Sequence, residues 1–285
     1  MRRVSLIGVS LAVALVVLWS IAPAQEAKPV KLLIITGDHG HDWRATTAYF
    51  KEILPKDRIS VDVTETPGKD LVPENLKKYD ALLLNYRDTP KGAKESPDSV
   101  WSNDNMQAFL GAVRSGKGLV VYHHTSSAFL EKVEFERCIA GGWRGQGYHG
   151  PKHQFTVKMV AAGSSPDTGR AASPHPIIAG MPASFLHTVD ELYANSVMFP
   201  ENEVLATAYS DPAREYGTGK HEPMIWVKNY GRGRVFVNAM GHDTDAMKGL
   251  GFQTLMIRGI EWAATGKVGY PVPENLDAPK APVAN

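Results

Sequence analysis

Apolar residues in this chain fall in short blocks separated by polar, glycine-rich or amphipathic stretches, a rhythm that predicts alternating strands and helices. Val30 to Thr36, closed by Gly37, predicts a fully buried first strand. The polar loop Asp38-His39-Gly40-His41-Asp42-Trp43 follows, and Ala45 to Leu54 then carries helical spacing. Ile59-Ser60-Val61-Asp62-Val63 alternates as a strand with one exposed face, and Asp80 to Tyr86 predicts a second buried strand. Strand, helix and strand at these separations make a βαβ unit, and the right-handed crossover rule gives a parallel sheet.

The pattern continues with Met106, Phe109, Leu110 and Val113 at helical spacing in 103–115, where Gly116 and Gly118 mark the C-terminal cap. Leu119-Val120-Val121-Tyr122 predicts the next buried strand, which delivers His123 and His124 at its carboxyl end. Residues 141–151 are glycine- and histidine-rich and too irregular for a regular element. Strands are predicted over 154–160, 204–208, 224–227 and 234–238, with short strand signal in 185–193 and an exposed insertion over 163–173. Tyr230-Gly231-Arg232-Gly233 predicts a hairpin turn rather than a phosphate loop, because a strand follows where a phosphate loop needs a helix. A last helix is predicted over 251–265, and the proline-rich tail from Pro271 reads as extended or disordered.

At 285 residues and 43% hydrophobic content the chain can bury one large core. The expected organisation is a signal peptide over 1–24, one domain over 30–268 and a tail over 269–285. A net charge of +1 gives no electrostatic footprint for nucleic acid. Met1-Arg2-Arg3, the apolar run Val4 to Ile21 and Ala22-Pro23-Ala24 have the order of an export signal, so a periplasmic or extracellular protein free of the membrane after cleavage is expected. Retention of that run as an anchor helix is the alternative. The single cysteine, Cys138, makes no internal disulfide and reads as a buried small hydrophobe rather than a nucleophile.

Several motifs recur in one order: Gly37 to Trp43, the strand ending in His123, Gly-Gly to Tyr-His-Gly over 141–150, His175-Pro176-Ile177, Asp190-Glu191-Leu192-Tyr193, Trp226 with Gly231 to Val235, and Gly241-His242-Asp243. In these the chain resembles the ThuA-like (trehalose utilisation) family, from about Lys31 to Gly266. The resemblance implies a flavodoxin-like α/β fold, related to the class I glutamine amidotransferases, with a mostly parallel sheet flanked by helices. It also implies an association with sugar metabolism. Those amidotransferases carry a cysteine nucleophile on a sharp turn after the strand that corresponds to Leu119 to Tyr122. Here the turn reads His123-His124-Thr125-Ser126, so glutamine hydrolysis by a thiolate is excluded on residue type. No G-x-S-x-G elbow surrounds Ser126 or Ser127, which argues against a serine hydrolase.

Loops after successive strands meet on one face in such a fold, which brings His41, His123, His149 and His242 together as candidate metal ligands. Imidazole suits a divalent transition metal such as zinc, and Asp42, Asp243 or Glu191 can add an oxygen. The spacings match no recognised metal motif. The alternative use of His41, His123 and His149 is as acids and bases beside a ketone or hemiacetal, with Asp42, Glu191 and Asp243 receiving sugar hydroxyls. Trp43, Trp143 and Tyr148 can stack on a pyranose ring or simply pack their loops.

Other polar residues have plainer expected uses. His39, His153, His187 and His221 are expected at the surface or in local hydrogen bonds, His175 in a turn, and Arg234 on a buried carboxylate. Asp190-Glu191 either faces the pocket or braces a strand. The expected function is action on, or binding of, a small saccharide, extending to 3-keto disaccharide derivatives, by hydrolysis or isomerisation. A non-catalytic sugar-binding or assembly protein is the alternative. Related α/β folds often form homo-oligomers, and no segment of this chain marks an interface.

Overall fold

The apolar block at Val30 becomes an inner strand of a parallel sheet because successive residues serve opposite faces. Leu32 and Ile34 join one core with Phe50, Leu255 and Ile260. Leu33 and Ile35 join a second with Phe109, Phe135 and Trp226. A strand buried on both faces needs this unbroken apolar run. The computed structural model describes residues 28–37, 41–88, 98, 100–160 and 173–277. The expected signal peptide, His39, nearly all of the 163–173 insertion and the end of the tail lie outside the described residues.

In chain order the first half comprises β1 (Val30–Thr36), α1 (Trp43–Ile53), β2 (Ile59–Thr64), α2 (Pro67–Asp70), α3 (Pro73–Leu76), β3 (Ala81–Asn85), α4 (Asn103–Arg114) and β4 (Gly118–Tyr122). A 3-10 segment, His123–Ser127, leads to α5 (Val133–Ile139), β5 (Gly141–Gly142), β6 (Tyr148–His149), β7 (Thr156–Met159), β8 (Ser184–Leu186), β9 (Tyr193–Ala194) and β10 (Val197–Met198). The chain finishes with β11 (Glu203–Tyr209), β12 (His221–Tyr230), β13 (Gly233–Asn238) and α6 (Leu250–Thr265).

Nine strands form one sheet in the order β2-β1-β3-β4-β13-β12-β11-β7-β8. The first five are mutually parallel, in flavodoxin-like order, and the rest are antiparallel. The fold is therefore the expected flavodoxin-like α/β sheet flanked by helices, extended on one side by an antiparallel half. The hairpin between β12 and β13 closes at Tyr230 paired with Gly233, on the expected turn. Two short ribbons, β5 with β10 and β6 with β9, are built from the irregular glycine-rich stretch and the Asp190 region.

Three local readings are corrected. Helix α1 begins at Trp43, because the Asp42 carboxylate accepts from Ala45 N–H as its N-cap. Helix α5 arises where no helix was expected; it has only two turns, too few for periodicity to show, and buries Phe135, Cys138 and Ile139. Arg234 does not meet a carboxylate: it donates to the carbonyls of Trp262, Ala263 and Ala264, satisfying the C-terminal end of α6.

Helix α6 runs back along the sheet and meets β4 at Gly118, where an added Cβ would lie 2.5 Å from the Ala263 backbone. Backbone on backbone leaves nothing to rotate away. Gly118→Ala is expected to destabilise the fold by about 1–3 kcal/mol, read by chemical denaturation. The tail remains extended to Asp277, buries Leu276, and accepts the edge N–H of Leu186 on Asp277 at 2.7 Å. Among the described residues no helix is long and apolar enough to cross a membrane.

Candidate metal centre

Histidines at the carboxyl ends of three parallel strands point into one place. His41 follows β1, His123 follows β4 and His242 follows β13. Their rings approach closely, with centroids 5.5 Å apart for His41 and His123, 5.1 Å for His41 and His242, and 5.5 Å for His123 and His242. Glu191 completes the group from the antiparallel half. One donor atom from each of the four residues lies within 4.8 Å of the other three, and three imidazoles with one carboxylate can hold a metal ion.

Backbone strain and buried hydrogen bonds fix these side chains. His123 has φ of 43°, a left-handed conformation costly for a side chain with a Cβ. It stands on the sharp turn after β4, where the amidotransferase resemblance places a cysteine. Its Nδ1–H donates to Ala239 at 2.8 Å, which turns Nε2 toward the site. The Tyr193 hydroxyl lies 3.0 Å from that nitrogen, and burial pushes its pKa well up, so it remains an O–H donor. His41 stacks on His124, with ring centroids 4.1 Å apart.

The turn that carries His242 hangs on Asp190. This fully buried carboxylate accepts from Gly241 N–H at 2.6 Å, His242 N–H at 3.0 Å, Glu191 N–H at 2.8 Å and His187 Nε2 at 2.8 Å. Gly241 has φ of 102°, and an added Cβ there would meet Phe252 and Tyr122 at 2.7 Å. Only glycine lets the turn pass between those rings.

Glu191 gathers the imidazoles around itself. His242 Nδ1 lies 3.0 Å, His123 Nε2 3.4 Å and His149 Nε2 3.4 Å from its oxygens. Burial alone would raise its pKa, yet His123 and His242 outweigh burial and hold it far below the usual carboxylate range. The same contact raises the pKa of His242. His242 Nδ1 is buried and lies against the Glu191 carboxylate.

The other expected residues fall around this group. His149 lies outside the four, its Nδ1–H donating to Gly150 at 2.9 Å and its Nε2 turned to Glu191. Trp143 stands edge-on to His149 and Tyr193, at 5.4 and 4.4 Å. Tyr148 faces Tyr216 at 5.9 Å. Asp243 pairs with Lys152 at 2.6 Å and accepts from Ala246 N–H. Asp42 is used as the cap of α1, and Trp43 is buried with the Arg44 guanidinium over its ring.

Residues outside the group are also placed. His187 is buried rather than at the surface, and its bond to Asp190 is local. His175 packs on Trp262 in the last turns of α6, at the opposite end of the sheet, and burial lowers its pKa to about 4. Cys138 is buried and its thiol pKa is pushed up by burial, so it offers no thiolate. A cavity of about 600 Å³ between α3 and α4 also lies at the far end and contains none of the expected site residues. Tyr193 and Asp190 are the functional residues that sequence reasoning missed or left open. Their signal was the run Asp-Glu-Leu-Tyr itself, in which the polar pair and the Tyr flank one buried Leu.

Fold order and strand-end histidines define a flavodoxin-like α/β protein whose site lies beyond the carboxyl ends of its strands. The chain matches the trehalose utilisation (ThuA) family over residues 31–263, and it belongs to that family. A ThuA-like protein from Parabacteroides merdae shares 31% identity at a TM-score of 0.72, covering 87% of this chain and 94% of its own. A ThuA-like protein from Bacteroides uniformis, at 19% identity, has a TM-score of 0.62 over 87% of this chain and 98% of its own, a likeness of fold. No curated protein matches the sequence.

Proposed function

We propose that this protein is an exported, metal-assisted enzyme acting on a small saccharide, including 3-keto disaccharide derivatives, by hydrolysis or by isomerisation next to a carbonyl. The observation that carries this reading is the convergence of His41, His123, Glu191 and His242, one donor atom from each within 4.8 Å of the others. Three imidazoles and a carboxylate suit zinc among the divalent transition ions. The Tyr193 hydroxyl lies 3.0 Å from His123 Nε2, so it must turn away when a cation takes that nitrogen. The saccharide comes from the family's description, trehalose utilisation. Export rests on the N-terminal sequence alone.

A divalent ion bound there would polarise a carbonyl or acidify a water. The chain supplies the proton traffic. His149 is partly exposed, its Nδ1–H is fixed on Gly150, and its Nε2 is therefore the basic nitrogen, facing Glu191 on one side and solvent on the other. That is the position of a general acid and base. His149→Ala is expected to keep its metal, measured by elemental mass spectrometry, and to convert a 3-keto disaccharide about 10²-fold more slowly. A wild-type chain that takes up no transition metal and leaves 3-keto disaccharides unchanged would overturn the proposal.

A second reading, saccharide binding without turnover, is favoured by the imidazole that stands on the strained turn where a nucleophile is expected. It predicts saccharide-dependent thermal stabilisation with no product.

A further inference from the structure

Beside the metal centre, Tyr216 combines three features that seldom occur together. It is 62% exposed, it has φ of 61°, and its ring lies 5.9 Å from that of Tyr148, edge to face. A left-handed backbone is costly for a bulky residue and is tolerated when the surroundings hold it there. Here they do. Within residues 210–222, Arg214 N–H donates to Asp211, Gly217 N–H to Arg214 and Thr218 N–H to the Ser210 hydroxyl.

The same loop is tied to the site. Thr218 donates to Glu222 at 2.7 Å, and the other oxygen of Glu222 accepts from Asn195 N–H at 3.0 Å, immediately after β9. Strand β9 pairs with β6, which carries Tyr148 and His149. At Gly150 an added Cβ would lie 2.5 Å from the Glu215 carbonyl, so the loop rests directly on the residue after His149. Between the two segments lies a cleft of about 290 Å³ lined by Pro151, Lys152, His153, Ala213, Arg214 and Glu215. An exposed tyrosine packed on a half-buried one, beside a cleft of charged hydrogen-bonding groups, has the chemistry of a pyranose subsite: rings stack on C–H faces while charged groups take hydroxyls.

We infer that Tyr216, with Tyr148, forms a second saccharide subsite that stacks the ring remote from the reacting centre, so that the protein selects disaccharides over monosaccharides. The inference rests on the saccharide reading above. It explains why the loop keeps a tyrosine at a left-handed position that glycine would occupy without strain.

The test is calorimetric titration of the purified chain with trehalose, maltose and glucose, for wild type, Tyr216→Gly and Tyr216→Phe. Expected are tighter binding of at least one disaccharide than of glucose, and an about tenfold loss of that affinity in Tyr216→Gly. Glucose affinity and the thermal midpoint of Tyr216→Gly should not fall, and Tyr216→Phe should retain the disaccharide. Unchanged disaccharide binding in Tyr216→Gly, or equal weakening for glucose, overturns the subsite and leaves the saccharide reading standing. A wild-type chain that binds none of the three sugars overturns the subsite, and the saccharide reading falls with it only if 3-keto disaccharides are also left unchanged.

Discussion

Glu191→Gln is expected to weaken zinc binding by at least about a hundredfold while leaving the fold intact. Glutamine matches the carboxylate in shape but removes the charge on which His123, His149 and His242 converge at 3.4, 3.4 and 3.0 Å. The backbone bond from Glu191 N–H to Asp190 is untouched by the change, so the residue stays in place. His242 should respond as well. Its raised pKa derives first from Glu191, so in the variant it should titrate at lower pH. Zinc and protons compete for the same nitrogens, and wild-type affinity should therefore fall as pH drops through the His242 titration. Competition with a chromophoric chelator across pH, together with NMR titration of the histidine C–H resonances, reads both effects. Equal zinc affinity in wild type and variant would place the metal elsewhere.

The largest expected loss of stability comes from Asp190→Ala, about 3–5 kcal/mol by urea denaturation near neutral pH. The side chain is fully buried and accepts from three backbone N–H groups and from His187, so truncation leaves several buried donors unpaired at once. The sign of the pH dependence follows from the direction of its shift. Burial pushes its pKa up, but His187, His123 and the Gly241 amide together bring it below the ordinary carboxylate value. A depressed folded-state pKa contributes stability that is fully present above the unfolded value of about 3.9 and is lost as pH falls through the folded value. The difference between wild type and variant should thus be largest near neutrality and narrow below about pH 4. A constant difference down to pH 2 would show that the cost is one of packing rather than charge.

Much of this architecture was legible because buried parallel strands must be continuously apolar. Val30 to Thr36, Ala81 to Asn85 and Gly118 to Tyr122 announce themselves, and His41 and His123, past the first and last of these, fall at one end of the sheet. What was not legible depends on contacts remote in sequence. Asp42 looks like a ligand in the sequence but its carboxylate caps a helix, and Arg234 meets carbonyl groups that exist only because α6 ends beside β13. Glu191 stood as one oxygen donor among three. In the fold it is Glu191, held through its N–H by the buried Asp190 carboxylate, and not Asp42 or Asp243, that meets the imidazoles. Helix α5 escaped because it is only two turns long, although its buried residues have helical spacing.

The four donor positions lie far apart along the chain, spread over roughly 200 residues from His41 to His242. Two come from the flavodoxin-like core before the antiparallel half, one from within that half, and one from the strand that returns to the core after it. A polypeptide still lacking β13 therefore holds no complete set, and neither does a molecule whose antiparallel half has not docked. An ion captured by all four would report that the whole topology has closed, acting as a checkpoint on assembly as well as a participant in chemistry. Heating should release it in step with global unfolding, and added zinc should raise the melting midpoint with its concentration.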